Sequence, residues 1–166
     1  KSLENKPQKD WLRRINECQD EKVLKYFLKE SPNTEIQDNT EILKILWECC
    51  QIPDFVKKNY GHHIEVVSKV YKFLIGKTHK IPSQYMKEQL SILNKLEGNV
   101  DSLSNRIANV RTWAYVSNKS NWVENQDYWI ERSKNLEDKL SDRLHEELTK
   151  TFIDKRASVL AKGLKQ

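Results

Sequence analysis

Four glycines and four prolines in 166 residues leave this chain very few places to turn sharply. Both counts fall well below the roughly 7% glycine and 5% proline of average proteins. A sandwich or barrel of short strands needs turn formers every ~8–12 residues, and this chain lacks them. Helices need none in their interiors, and between the glycines apolar residues recur at steps of three and four, the helical spacing. The expected class is therefore all-α.

Along the first half, Trp11, Leu12 and Ile15, then Val23, Leu24, Tyr26, Phe27 and Leu28, read as one or two short helices. Residues 30–38 are rich in Ser, Pro, Asn and Thr and read as a loop. Asp38 is the expected N-cap of the next helix, whose apolar face holds Ile42, Leu43, Ile45, Leu46, Trp47 and Cys50. Pro53 stops that helix and is placed in the first turn of a short one through Phe55 and Val56. Gly61 separates it from a helix carrying Ile64, Val67, Val70, Tyr71, Leu74 and Ile75, with Gly76 as the C-cap. Residues 78–82 form a linker.

In the second half Tyr85, Met86, Leu90, Leu93 and Leu96 keep helical spacing up to Gly98, where a break or kink is expected. Val100, Leu103, Ile107, Val110, Trp113 and Ala114 resume it. After a polar segment, residues 117–125, comes the stripe Trp129, Leu136, Leu140, Leu144, Leu148, Phe152 and Val159. It predicts one helix of roughly 30 residues starting near Asn125 or Gln126. Two long amphipathic helices, at about 83–117 and 125–160, pack as an antiparallel αα-hairpin. The expected architecture is a helical bundle: a short-helix subdomain over 1–80 and the hairpin over 81–166, together one compact domain.

No run approaches the ~18 apolar residues of a membrane-spanning helix. The first residues, Lys1 to Asn5, show no apolar core of a signal peptide, and the missing initiator Met points to a piece of a longer protein. Three cysteines make no disulfide framework, so a reducing, cytoplasmic setting is expected. The net charge of +5 is spread evenly: 17 basic against 14 acidic residues up to position 100, and 12 against 10 beyond it. Such a balance permits nucleic-acid contact without demanding it.

Catalytic motifs fail on inspection. Gly76-Lys77-Thr78 has the end of a phosphate loop, but Tyr71 stands where that loop needs glycine, and a helical pattern precedes it instead of a strand. His145-Glu146 opens a zinc-protease motif whose second histidine is replaced by Thr149. Cys49 and Cys50 are adjacent on one helix and point about 100° apart, which argues against their joining His62 and His63 at one metal. No nucleophile–base pair is suggested, and acidic pairs such as Glu137-Asp138 read as surface charges.

One cluster carries more chemistry. Trp113, Tyr115, Trp122, Tyr128 and Trp129 gather around the hairpin loop, with Arg111, Lys119 and Arg132 close in sequence. Rings interleaved with cations suit stacking on bases and holding phosphates; large rings also simply pack a hairpin end, and packing is the expected role of Trp113 and Trp129. Arg106 and Arg111 lie beside the apolar stripe and are placed to meet acids such as Asp138 or Asp142.

These residues also resemble a family. Residues 46–55, LWECCQIPDF, are similar to a segment "LWEVCQIPDF". The run from Leu96-Glu97-Gly98-Asn99-Val100-Asp101 through Arg106-Ile107-Ala108 to Arg111-Thr112-Trp113-Ala114-Tyr115-Val116 is similar to "LEGDIDTL…RIAxIRTWTYV". Trp122, Trp129, Glu131-Arg132, residues 137–146 (EDKLSDRLHE), Leu148-Thr149 and Phe152-Ile153-Asp154-Lys155-Arg156 are similar to "W…WxxRTxxxEDxLSDALHExLTxRFVDRR". Ala114 stands where that pattern has Thr, and Lys155 where it has Arg. The pattern belongs to the C-terminal region of alphaproteobacterial superfamily-2 ATP-dependent helicases, relatives of the mitochondrial degradosome RNA helicase, and the resemblance covers roughly residues 42–160.

The resemblance implies an accessory helical module that packs on upstream RecA-like motor domains and helps guide single-stranded RNA or DNA. It implies ATP and Mg²⁺ for the parent helicase, with the ATPase motifs upstream and no enzyme activity or cofactor in this chain alone. The residues placed to hold phosphates are Arg111, Lys119, Arg132, Lys155 and Arg156. The alternative is a helical protein-docking module without nucleic-acid contact.

Overall fold

The computed structural model describes residues 19–30, 39–57 and 59–164. Among them are six helices and no strand: α1 Gln19–Glu30, α2 Thr40–Cys50, α3 Tyr60–Ile75, α4 Ser83–Leu93, α5 Val100–Asn118 and α6 Gln126–Leu164. The expected all-α class and the long C-terminal hairpin are both present. The helix expected around Trp11 lies outside the described residues, as does most of the loop at 30–38.

Local chemistry sets the boundaries. Asp38, the expected cap of α2, lies outside the described residues; its neighbour Asn39 caps the helix, accepting from the amides of Glu41 and Ile42 through its side chain. Residues 51–57 form a turn instead of the short helix expected around Phe55 and Val56. Asp54 organises it: one carboxylate oxygen accepts from the Lys57 amide at 3.0 Å and the other from Gln19 Nε2 at 3.1 Å, tying the start of α1 to the turn. Gly61, expected as a separator, lies inside α3, which starts at Tyr60 behind an Asn59 cap. Gly76 does end α3.

The expected break falls between Leu93 and Val100. Gly98 has φ +132°, and a Cβ there would come within 3.1 Å of the Ser102 Cβ, so both backbone and space demand glycine. Asn99 then caps α5, accepting from the Ser102 amide at 2.9 Å. Arg106 reaches back and donates to the carbonyls of Lys95, at 2.7 Å, and Glu97. It therefore holds the interhelical loop, where an acidic partner had been expected.

Packing follows chain order. α1 lies on α2, α2 on α3, α4 on α5, and α5 along α6. Gln126 bonds to the Lys119 carbonyl, while farther along Arg111 meets Glu137; the sequence distance grows, so α5 and α6 run antiparallel. The buried cluster runs from Val23 and Leu46 through Val67 and Val70 to Leu103, Val110, Val116 and Leu140. A backbone pairing ties the linker to the hairpin loop: Ile81 donates to the Trp122 carbonyl at 2.7 Å and accepts from the Glu124 amide at 3.2 Å.

The hairpin is unequal. α5 has 19 residues and α6 has 39, beyond the roughly 30 expected. Trp129, Leu136 and Leu140 are buried and Leu144 is half-buried, but Leu148, Phe152 and Val159, expected on the same packed stripe, are exposed. The register set by Arg111 and Glu137 places the start of α5 level with residue 148 or so of α6, so α5 has nothing left to cover them. At ~1.5 Å per residue the overhang from Leu148 to Leu164 is about 25 Å long.

Candidate nucleic-acid interface

The seven-residue connection between α5 and α6 turns through two left-handed asparagines, Asn121 at φ +65° and Asn125 at φ +54°. Asparagine tolerates this region better than most residues. The turn brings the aromatic residues of both helix ends together, and their burial divides them by role. Trp113 is buried, with its ring edge-on to Tyr85 at 5.7 Å; Tyr85 in turn meets Phe73 at 4.9 Å. Trp129 is buried and its indole N–H donates to Ser83 Oγ at 3.3 Å. Trp122 is buried on the Ile81 pairing. These three tryptophans are packing residues; the ring left to solvent is Tyr128, 58% exposed.

The expected phosphate-holding residues fall into distinct settings. Arg111 is tied to Glu137, Nε to carboxylate oxygen at 2.9 Å, so the acid it meets is the neighbour of the expected Asp138. Lys119, one residue beyond α5, holds its ammonium 5.3 Å from the Tyr115 ring centre and 5.7 Å from that of Trp122. Both distances suit cation–π attraction, which positions the charge without neutralising it. Arg132 is exposed on α6, one turn beyond Tyr128. Lys155 and Arg156 are exposed on the α6 overhang, Arg156 lying 5.9 Å from the Phe152 ring centre. The structure thus brings Lys119 and Arg132 to the loop end and leaves Lys155 and Arg156 far along α6.

A residue missed from the sequence joins Arg132. Lys87 on α4 lines the same cleft, about 290 Å³, together with Ser83, Gln84, Tyr128 and Trp129. Positions 83, 84, 87 and 91 are legible as one polar face of a helix; which helix that face would meet is not.

The other candidate chemistry stays inert. Burial pushes the Cys49 thiol up and that of Cys50 up to about 12, so both remain protonated at neutral pH and poor nucleophiles and ligands. Among the described residues no group of three or more His, Cys, Asp or Glu stands close enough to hold a metal ion. A cavity of about 980 Å³ is lined largely by α3 with Tyr26, Phe27 and Ile42 at one side, and contains none of the phosphate-holding residues. No helix among the described residues is long and apolar enough to cross a membrane. No family model, curated protein or solved structure matches the chain.

Proposed function

We propose that this chain is the helical accessory domain of an ATP-dependent helicase, guiding single-stranded RNA or DNA past the loop end of its long hairpin while it packs on RecA-like motor domains. The resemblance of residues 42–160 motivates the helicase assignment. The observation that carries the nucleic-acid part is the loop end itself: Lys119 braced on Tyr115 and Trp122, and Arg132 one turn from the exposed Tyr128. Fixed cations hold phosphates without reading sequence, and an exposed ring stacks on any base. ATP and Mg²⁺ belong to the parent protein in this reading, and the chain alone performs no hydrolysis.

A second reading, a docking module without nucleic-acid contact, is favoured by one observation. The overhang of α6 exposes Leu148, Phe152, Ile153, Val159 and Leu160, a run of apolar side chains of the kind that marks partner surfaces.

Fluorescence anisotropy with labelled single strands of graded length, across a salt series, separates the two. Guidance by the loop end predicts weak, length-dependent binding with a log–log salt slope of about −0.7 per phosphate held, roughly two to four phosphates in all. Flat anisotropy at low salt together with capture of RecA-like motor domains rejects that role and favours docking.

A further inference from the structure

The cleft between α4 and α6 has the parts of a binding site for one nucleotide, and its two cations are among those the fold leaves without acids. Arg106 is spent on loop carbonyls, Arg111 on Glu137, and Arg143 on Glu146 and Glu147. The side chains of Lys87 and Arg132, by contrast, make no hydrogen bond or ion pair with any described residue, although they line one cleft from two different helices. Two acids stand near its α4 wall, and both are engaged: Glu124 accepts from the Ser83 amide at 3.3 Å and Glu88 from Gln84 Nε2 at 3.1 Å.

The aromatic side is equally defined. Tyr128 and Arg132 are four residues apart on α6, so ring and guanidinium share one face. Trp129 is anchored through its indole N–H on Ser83 Oγ, which also accepts from Asn125 Nδ2 at 3.0 Å. The Tyr128 ring meets that fixed indole at 4.8 Å and 81°, a contact that restrains it while more than half of its surface stays open. A restrained exposed ring costs little further order when a base stacks on it. At about 290 Å³ the cleft lies at the lower end of ligand-site volumes, room for one ring system and too little for a duplex.

We propose that this cleft binds one nucleotide of a single strand, with the base against Tyr128 and the flanking phosphate between Lys87 and Arg132. The proposal rests on the nucleic-acid reading above and deepens it by naming the site. Gln84 and Ser83 line the wall with polar groups that can serve any base edge, so no strong sequence preference follows.

The test uses the full 166-residue chain and fluorescein-labelled oligouridylate in a salt series. Tyr128→Ala is expected to weaken binding about tenfold with an unchanged salt slope, and Tyr128→Phe to retain it, because stacking needs the ring and not the hydroxyl. Lys87→Ala and Arg132→Ala are each expected to weaken binding and shallow the slope, by about 0.7 when the shared phosphate is lost altogether; Lys139→Ala, an exposed cation elsewhere on α6, serves as the control. All four positions are exposed, so these variants keep the fold. If the parent chain binds but every cleft variant behaves like Lys139→Ala, the cleft assignment falls and the broader nucleic-acid reading stands. If the parent chain binds no strand at low salt, both fall. Uridine monophosphate that binds as tightly as the oligomer would make the cleft a free-nucleotide site and overturn the proposal, as would polyglutamate that binds equally well regardless of Tyr128.

Discussion

At His63 the fold carries an energetic debt that depends on pH. The ring is buried on α3 with Nε2 unpartnered, and burial pulls its pKa below the usual value of about 6.5, the nearby Asp54 offsetting this only in part. As pH falls through ~6.5 the unfolded chain takes up this proton while the folded chain resists, so stability declines until the folded pKa is reached. Thermal melts between pH 8 and pH 5 should show a drop in Tm that is shallower in His63→Leu; an identical slope in both would remove His63 as the cause. Trp113 sits at the other extreme, a residue whose contribution is almost wholly contact area. Trp113→Ala should cost about 3–5 kcal/mol in urea unfolding, a large share of the 5–15 kcal/mol typical of a domain. A variant of unchanged stability that loses strand binding would reassign that ring to the interface.

Among the elements, α6 shows how one helix can have two different fates. From Trp129 to Leu144 its buried and half-buried apolar residues lie along α5; from Leu148 on, its large apolar side chains are exposed. Helices in proteins draw most of their stability from packing, and an unpacked stretch of about four turns is only marginally helical in water. Amide hydrogen exchange should therefore be slow over 129–144 and fast over 150–164, and truncation after Glu147 should leave Tm within about 2 °C of the intact chain. Uniform protection along α6 would mean that the overhang is covered in solution and would contradict this. The break between α4 and α5 is the opposite case. Gly98 supplies the backbone conformation, Asn99 the cap and Arg106 the carbonyl partners, so the loop is specified by its own residues.

For the whole molecule, the short backbone pairing of Ile81 with Trp122 and Glu124 fixes the linker against the hairpin loop. It places α4 beside the start of α6 and so creates the cleft that Lys87 and Arg132 share. Among the described residues nothing gathers a phosphate loop. Gly76 closes α3 with an extended backbone, its N–H donating to the Phe73 carbonyl at 3.2 Å. The chain should accordingly show no ATP turnover with or without RNA in a coupled phosphate-release assay, and turnover that vanishes in Lys77→Ala would contradict this.

The sequence by itself determined the helical class, the hairpin and the break near Gly98, because spacing, caps and scarce glycines act over a few residues. It also nominated the aromatic and cationic loop end. Helical spacing already marked Trp113 and Trp129 as packing residues; tertiary structure decided the rest, burying Trp122 on the linker and leaving Tyr128 open. It decided likewise that Arg111 is neutralised by Glu137 while Arg132 is left beside Lys87, and that the apolar stripe of α6 outlasts its partner. The physical reason is common to all three: each depends on which helix lies opposite, at what register and for how long, and the periodicity of one helix fixes only the face that it offers.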